Sequence, residues 1–152
     1  MVNKRNDYFL RKVIGTDEQL LLDWSNDLET RKWSFNSDKI IPSEHKVWFK
    51  TKLNDKNIIM RIFEYNNVPA GLVRLENNNN KVKLNYLIAP EERGKGLASI
   101  MLKMVMSDVE NYWQNIVVLA FTLPKNIASI KSLQKAGFKL KKSSSEKNCY
   151  VY

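Results

Sequence analysis

Apolar and polar positions along the 152-residue chain change period several times, and the changes divide it into elements. Residues 8–14 read as a first strand, and Thr16-Asp17-Glu18-Gln19 has the form of a capping box opening a helix to about Asn26, with Leu20, Leu21 and Trp24 on its buried face. Residues 33–41 are irregular, and Pro42-Ser43 introduces a second helix in which Val47, Trp48, Thr51 and Leu53 mix apolar and polar positions. Two β-rich runs, 57–65 and 68–76, are separated by Asn66-Asn67 and form a predicted hairpin. Residues 77–80 lead into a further strand, 81–89, where Val82, Leu84, Tyr86 and Ile88 alternate with their neighbours. Leu97, Ile100, Met101, Met104 and Val105 then recur at three- and four-residue steps, giving the apolar stripe of a helix ending near Trp113. The continuous apolar run 116–121 suits a central strand buried on both faces. A last helix over 126–136 carries Ile127, Ile130 and Leu133 and stops at Gly137, after which 138–140 and 148–152 close the sheet as a hairpin. The order β-α-α-β-β-β-α-β-α-β-β predicts one α/β domain over residues 1–152, a mixed and mostly antiparallel sheet of about seven strands flanked by four helices.

Between the strand 81–89 and the following helix lies Arg93-Gly94-Lys95-Gly96-Leu97-Ala98. Two glycines let the backbone curl and approach a ligand without side-chain obstruction, and the free N–H groups and positive end of the helix behind them favour an anion. The segment reads as a phosphate-binding turn; the plainer alternative is a strand-to-helix connection whose glycines serve only the turn.

Charge and composition narrow the partners. With 25 Lys and Arg against 16 Asp and Glu the net charge is +9, which suits nucleic acid, an anionic membrane or small anionic ligands. The lysines are dispersed, with only Lys139, Lys141 and Lys142 clustered, and no RNA-binding aromatic signature is present, so nucleic acid is not expected. Residues 1–7 lack the apolar core of a signal peptide and the longest apolar run is too short for a bilayer span; a soluble, cytoplasmic protein is expected. The single cysteine, Cys149, excludes an internal disulfide and a cysteine-based zinc cage, and no metal is expected.

Two separated motifs now agree. Arg93-x-x-Gly96-x-Ala98 after the fourth strand, and Asn126-x-x-Ser129-x-x-x-Leu133-x-x-x-Gly137-Phe138 on the last helix, resemble those of the GNAT superfamily of acetyl-CoA-dependent N-acetyltransferases. The resemblance extends from about Tyr8 to the C-terminus. It implies acetyl-CoA as co-substrate, with the backbone of Arg93, Gly94, Lys95, Gly96, Leu97 and Ala98 on the pyrophosphate and Leu87, Ile88 and Ala89 on the pantetheine arm. The Ile88 N–H would meet the thioester oxygen, and Asn126 would hydrogen-bond the coenzyme near its thioester end, a place where Asn is also a good helix N-cap.

Many relatives carry a tyrosine seven residues after that asparagine to protonate the leaving thiolate, whereas this chain has Leu133. Ser129 matches a serine in the branch resembling RimL-like acetyltransferases, where it can serve near the sulfur. Lys83, Asn85 and Tyr86 stand where a fourth-strand glutamate is common, leaving Glu76 as the carboxylate expected closest to the cleft and the candidate base.

The acceptor side falls to the N-terminal third. Its segments 24–27, 30–31, 34–36 and 44–49 resemble acetyltransferases that act on nucleotide-linked amino sugars of surface-glycan routes. On that resemblance Arg31 pairs with a diphosphate, His45 binds a sugar hydroxyl or accepts the amine proton, and Trp48 or Phe35 stacks on a ring. Arg74 and Tyr86 are added to the acceptor wall. The expected reaction is direct attack of a primary amine on the acetyl carbonyl by a monomer or homodimer. RimL-like acetylation of protein N-termini, a non-catalytic coenzyme A-binding module and a basic RNA-associated domain stay open as alternatives.

Overall fold

The computed structural model describes residues 6–152; residues 1–5, part of the stretch read for a signal peptide, lie outside them. Seven strands form one sheet in the order β1-β2-β3-β4-β5-β7-β6. They are β1 (Tyr8–Lys12), β2 (Ile58–Tyr65), β3 (Val68–Asn78), β4 (Lys81–Ile88), β5 (Val117–Thr122), β6 (Lys139–Ser143) and β7 (Asn148–Val151). All neighbours are antiparallel except β4 and β5. The described residues hold five α-helices: α1 (Glu18–Ser25), α2 (Leu28–Lys32), α3 (Pro42–Leu53), α4 (Leu97–Val109) and α5 (Ile127–Lys135).

The sheet has two apolar faces, as its alternation requires. Phe63, Val73, Leu75, Val82 and Leu84 pack with Met101, Leu102 and Val105 of α4 and Leu133 of α5. On the other face Met60, Ile62 and Leu72 pack with Leu21 and Trp24 of α1 and Phe49 of α3. Two asparagine pairs make the central meander: Asn66 and Asn67 have φ of 51° and 67°, Asn79 and Asn80 have 50° and 66°. Positive φ at both central residues matches the right-handed twist of the strands they join, and Asn tolerates it better than most side chains. Asn77 and Asn78, expected in a connection, instead extend β3.

Two expectations are corrected. The helix start at Thr16 is a short 3-10 turn over Gly15–Asp17, and the cap is supplied by Asp17, whose carboxylate accepts the Ile14 N–H at 2.8 Å. Arg11 fixes that carboxylate with two bonds of 2.9 Å, so the helix entry is tied to β1 rather than to a local serine-threonine cap. The fifth helix is α2, which carries no buried residue and therefore no apolar periodicity to read. Asp27 caps it by accepting the Thr30 N–H at 3.3 Å.

Gly71 of β3 sits where α4 and β4 press closest. A Cβ there would lie 2.9 Å from Met101 Sδ, 3.0 Å from the Leu87 carbonyl oxygen and 3.2 Å from Ile88 Cδ1. Met101 can shift but the β4 carbonyl cannot, so Gly71→Ala is expected to cost about 1–3 kcal/mol, as overpacked cores do. Thermal unfolding should show a Tm lower by roughly 3–10 °C for a chain of this size; an unchanged Tm would show that the gap between β3, β4 and α4 accepts a methyl group.

Candidate active site

Pairing between β4 and β5 covers only Lys81↔Val117 through Leu84↔Ala120. Beyond it β4 continues to Ile88 beside β3 alone, so its other edge faces a gap. Main-chain direction alternates along a strand. Because the Ala89 N–H donates to the Ala70 carbonyl at 2.8 Å, the N–H groups of Ile88 and Tyr86 turn the opposite way, toward the gap. Unpaired peptide groups there need a partner, and an extended amide-bearing ligand supplies one as an added strand would.

The glycine turn stands at the end of this edge. Gly94 and Gly96 have φ of 77° and 72°, and a Cβ at either would touch nothing within 4 Å, so these glycines serve backbone conformation and leave open space above the turn. Gly96 is the N-cap of α4 and no side chain caps that helix. Its first N–H groups therefore have no intrahelical acceptor and point at the space a phosphate would fill. The Arg93 guanidinium reaches across the cleft mouth to Asp27 Oδ2 at 2.5 Å and Thr30 Oγ1 at 3.1 Å, joining the turn to the cap of α2. Arg93 thereby holds the Asp27 carboxyl below its usual range.

Two chambers meet along the gap. One, of about 400 Å³, is lined by Leu87, Ile88, Arg93, Gly94, Gly96, Leu97 and Ala98 with the first turn of α5. The other, of about 490 Å³, opens on the α1 and α3 side past Arg31, Phe35, Trp48, Arg74, Lys83 and Asn85. Thr30, Trp33, Tyr86, Leu87, Asn126 and Ser129 line both and form the throat. Asn126 Oδ1 accepts the Ser129 N–H at 3.2 Å, which caps α5 and fixes its first turn against β4. The Tyr86 hydroxyl lies 2.5 Å from Ser129 Oγ. Burial pushes the Tyr86 phenol up to about 12, against the opposing hydrogen bond from Ser129, so it stays protonated at neutral pH.

The structure thus brings Ile88, Arg93, Gly96, Asn126, Ser129 and Tyr86 to one cleft, with Phe35, Trp48 and Arg74 on its second chamber. Glu76 and His45 do not join them. Glu76 lies near the far end of β3, opposite Lys83, and its Oε1 lies within ion-pair distance of Lys52 Nζ (2.7 Å) and Arg74 Nε (3.3 Å) without a well-aligned hydrogen bond. A carboxylate held by two cations away from the throat is not placed to take a proton from the amine. His45 is 4 % exposed, stacked on Phe49 and tilted against Trp48, with Nε2 buried and unpartnered among the described residues. It borders a recess with Ile40 and Glu44 that shares Ser25, Arg31, Trp48 and Arg74 with the second chamber, and it does not line the throat. Arg31 borders the second chamber, but its guanidinium donates to the carbonyls of Ser25 (2.6 Å), Asn36 (3.0 Å) and Asp38 (3.3 Å) and to Ser34 Oγ (3.2 Å), so it organises the loop after α2. The side chain best placed to face an acceptor is Arg74, half-buried and stacked 4.9 Å over the Trp48 ring. Lys83, overlooked in the sequence as a missing glutamate, lines the same chamber because β4 alternation puts it on the Arg74 face.

Comparison with known proteins gives this geometry a family. Residues 8–139 match the acetyltransferase (GNAT) domain, and the chain belongs to that family of N-acetyltransferases, which take their acetyl group from acetyl-CoA. Comparison with curated protein sequences finds no match. Among solved structures, a domain from Methanocaldococcus jannaschii aligns with TM-score 0.83 at 23% identity, covering 97% of this chain and 99% of its own. An aminoglycoside acetyltransferase in complex with coenzyme A and kanamycin aligns at 0.80 and 16% identity (95% and 93% covered). A spermidine N-acetyltransferase from Vibrio cholerae in complex with coenzyme A and spermine aligns at 0.79 and 16% (95% and 92%). The seven-stranded mixed sheet expected from the sequence is the fold they share. The described residues contain no group of acidic, histidine or cysteine side chains able to hold a metal, and no helix long and apolar enough to cross a membrane.

Burial of His45 has a measurable consequence. Desolvation lowers its pKa below the ordinary 6.5, with Glu18 opposing, so the folded protein favours the neutral ring. A depressed folded pKa means that the unfolded chain binds the proton first on acidification. The stabilisation is complete above about pH 6.5 and declines as pH falls below it. Chemical denaturation from pH 7.5 to 5.5 should show falling stability in the wild type and a flatter dependence in His45→Phe; equal slopes would place the titrating group elsewhere.

Proposed function

We propose that the chain transfers the acetyl group of acetyl-CoA to the amine of a nucleotide-linked amino sugar. The observation that carries this reading is the lining of the second chamber: Arg74 and Lys83 are present, with Arg31 behind them bonded to its own loop, and no aspartate or glutamate is. A chamber with that lining attracts phosphate and disfavours a polycation. The neighbours that bind kanamycin and spermine hold amines carrying several positive charges, for which this lining is unsuited. Trp48, Phe35 and Trp33 border the same chamber and offer faces for a sugar or a base.

On the donor side, the backbone of Arg93 through Ala98 holds the pyrophosphate of acetyl-CoA, and Leu87, Ile88 and Ala89 pair with its pantetheine arm. The acetyl carbonyl then lies at the throat with its oxygen toward the Ile88 N–H. The neutral amine attacks the carbonyl carbon, negative charge gathers on that oxygen, and the C–S bond breaks. A fixed donor aimed at the developing oxyanion is worth roughly 3 kcal/mol in other acyl-transfer enzymes, more than an exposed ion pair supplies. Ser129 stands beside the departing sulfur. The reading keeps the reaction in the cytoplasm.

An acceptor screen read by mass tests it, with a UDP-linked 4-amino sugar, kanamycin, spermidine and peptides with free N-termini offered in parallel. The sugar nucleotide should be acetylated with kcat/KM at least about 100-fold above either polycation, a difference of roughly 2.7 kcal/mol. Arg74→Gln should raise its KM about tenfold or more while leaving acetyl-CoA binding unchanged. Preference for spermidine, kanamycin or peptides would overturn the assignment.

A further inference from the structure

We propose that Tyr86 and Ser129 form a proton shuttle that carries the amine's proton from the acceptor chamber to the departing sulfur. Tyr86 comes from the free edge of β4 and Ser129 from the first turn of α5, and their hydroxyl oxygens lie 2.5 Å apart. Both residues line both chambers, so the pair stands in the throat where the amine and the thioester must meet. Its geometry is fixed from behind: Asn126 caps the turn that bears Ser129, and the Tyr86 hydroxyl also approaches the Ser129 carbonyl at 3.4 Å. The proposal rests on acetyl transfer to an amine and not on which amine is taken.

The chamber lining shows why a shuttle is needed. No carboxylate borders the acceptor chamber: Glu76 lies off it beside Lys52 and Arg74, His45 is buried in the adjoining recess, and Glu29 and Glu92 line the donor chamber alone, Glu92 accepting from Lys95 at 2.7 Å. None of these lines the throat, where the nitrogen must lose its proton after attack. In the shuttle the nitrogen lone pair forms the N–C bond and the C–S pair leaves on sulfur. The N–H proton passes to the Tyr86 oxygen as the phenolic proton passes to Ser129 Oγ and the Ser129 proton passes to sulfur. Amide and free thiol result, and both side chains end as they began. The buried phenol supports this over one-way donation: from a group at about 12 to a thiolate near the ordinary 8.5, transfer alone is unfavourable by roughly 10³-fold. Simultaneous gain and loss avoids a buried phenolate altogether.

Thiol release from acetyl-CoA tests the shuttle, measured in H₂O and D₂O mixtures with both a UDP-linked 4-amino sugar and propylamine at high concentration. Tyr86→Phe and Ser129→Ala are each expected to lower kcat about 10²-fold, the scale of general acid-base catalysis, with acetyl-CoA Kd within about twofold of wild type. The double variant should be no slower than either single one, because each change breaks the same chain. The wild-type isotope effect should need more than one proton in flight, vanish in both variants and return in Ser129→Thr, which keeps the hydroxyl. Losses that multiply in the double variant, a kcat within about threefold of wild type, or an isotope effect that survives Tyr86→Phe would overturn the proposal. Should Tyr86→Phe not fold, the Ser129→Ala and Ser129→Thr pair decides on the same isotope effect. An inert sugar nucleotide with reactive propylamine counts against the acceptor assignment alone, and the shuttle is then read on propylamine; no release with either amine overturns both.

Discussion

Main-chain pairing between β4 and β5 runs from Lys81↔Val117 to Leu84↔Ala120 and stops. A sheet that parts in its middle leaves peptide groups without partners, and a buried unpartnered N–H or C=O costs about as much as a lost hydrogen bond. The fold tolerates the gap because a ligand can satisfy it. The helices on either side of the gap begin at it: α4 starts from Gly96 at the end of β4, and α5 starts from Asn126 after β5. One parting thus produces a free strand edge, an uncapped helix terminus and a throat between two chambers. Gly71 contributes from behind, since its missing side chain lets α4 and the β4 end close onto β3 without pushing the free edge out of line.

Electrostatics divides the two sides of that throat. On the donor side the glycine turn and the start of α4 supply a fixed backbone field, beside the charged side chains of Arg93, Glu29 and Glu92 on the lining. On the acceptor side it comes from side chains, and Arg74 is the cation whose surroundings hold it in place. Its guanidinium rests on Trp48 and its Nε faces Glu76, which Lys52 also grips. Burial lowers the Arg74 pKa and Glu76 opposes that shift. Glu76 is therefore a neighbour of Arg74 that lies off the throat. Arg31 serves a different end: four hydrogen bonds to the 25–38 region make the loop that walls the chamber.

What could be read in the sequence was what is local. The two asparagine turns, the stripe of α4, the Gly137 stop of α5 and the glycine turn all depend on a few adjacent residues. Gly137 has φ of 102°, and the Phe138 N–H bonds the Leu133 carbonyl at 3.0 Å, as a glycine-terminated helix requires. Features set by distant partners were not legible. Helix α2 has one large apolar residue, Leu28, and it is 86 % exposed, so nothing periodic marks it. His45 looked available because α3 mixes polar and apolar residues, yet it sits four residues before Phe49 on the buried face. Tyr86 and Ser129 are 43 residues apart, and only the crossing of β4 and α5 puts their hydroxyls in contact.

The central claim is that the free edge of β4 and the turn after it receive acetyl-CoA. Amide hydrogen exchange resolved by residue, with and without saturating coenzyme A, tests it most directly. Strong new protection is predicted at the Ile88 amide and at the amides of Gly94 through Ala98, with little change on β1 or β6. Protection confined to other surfaces, or an Ile88 amide that exchanges equally in both states, would contradict the account.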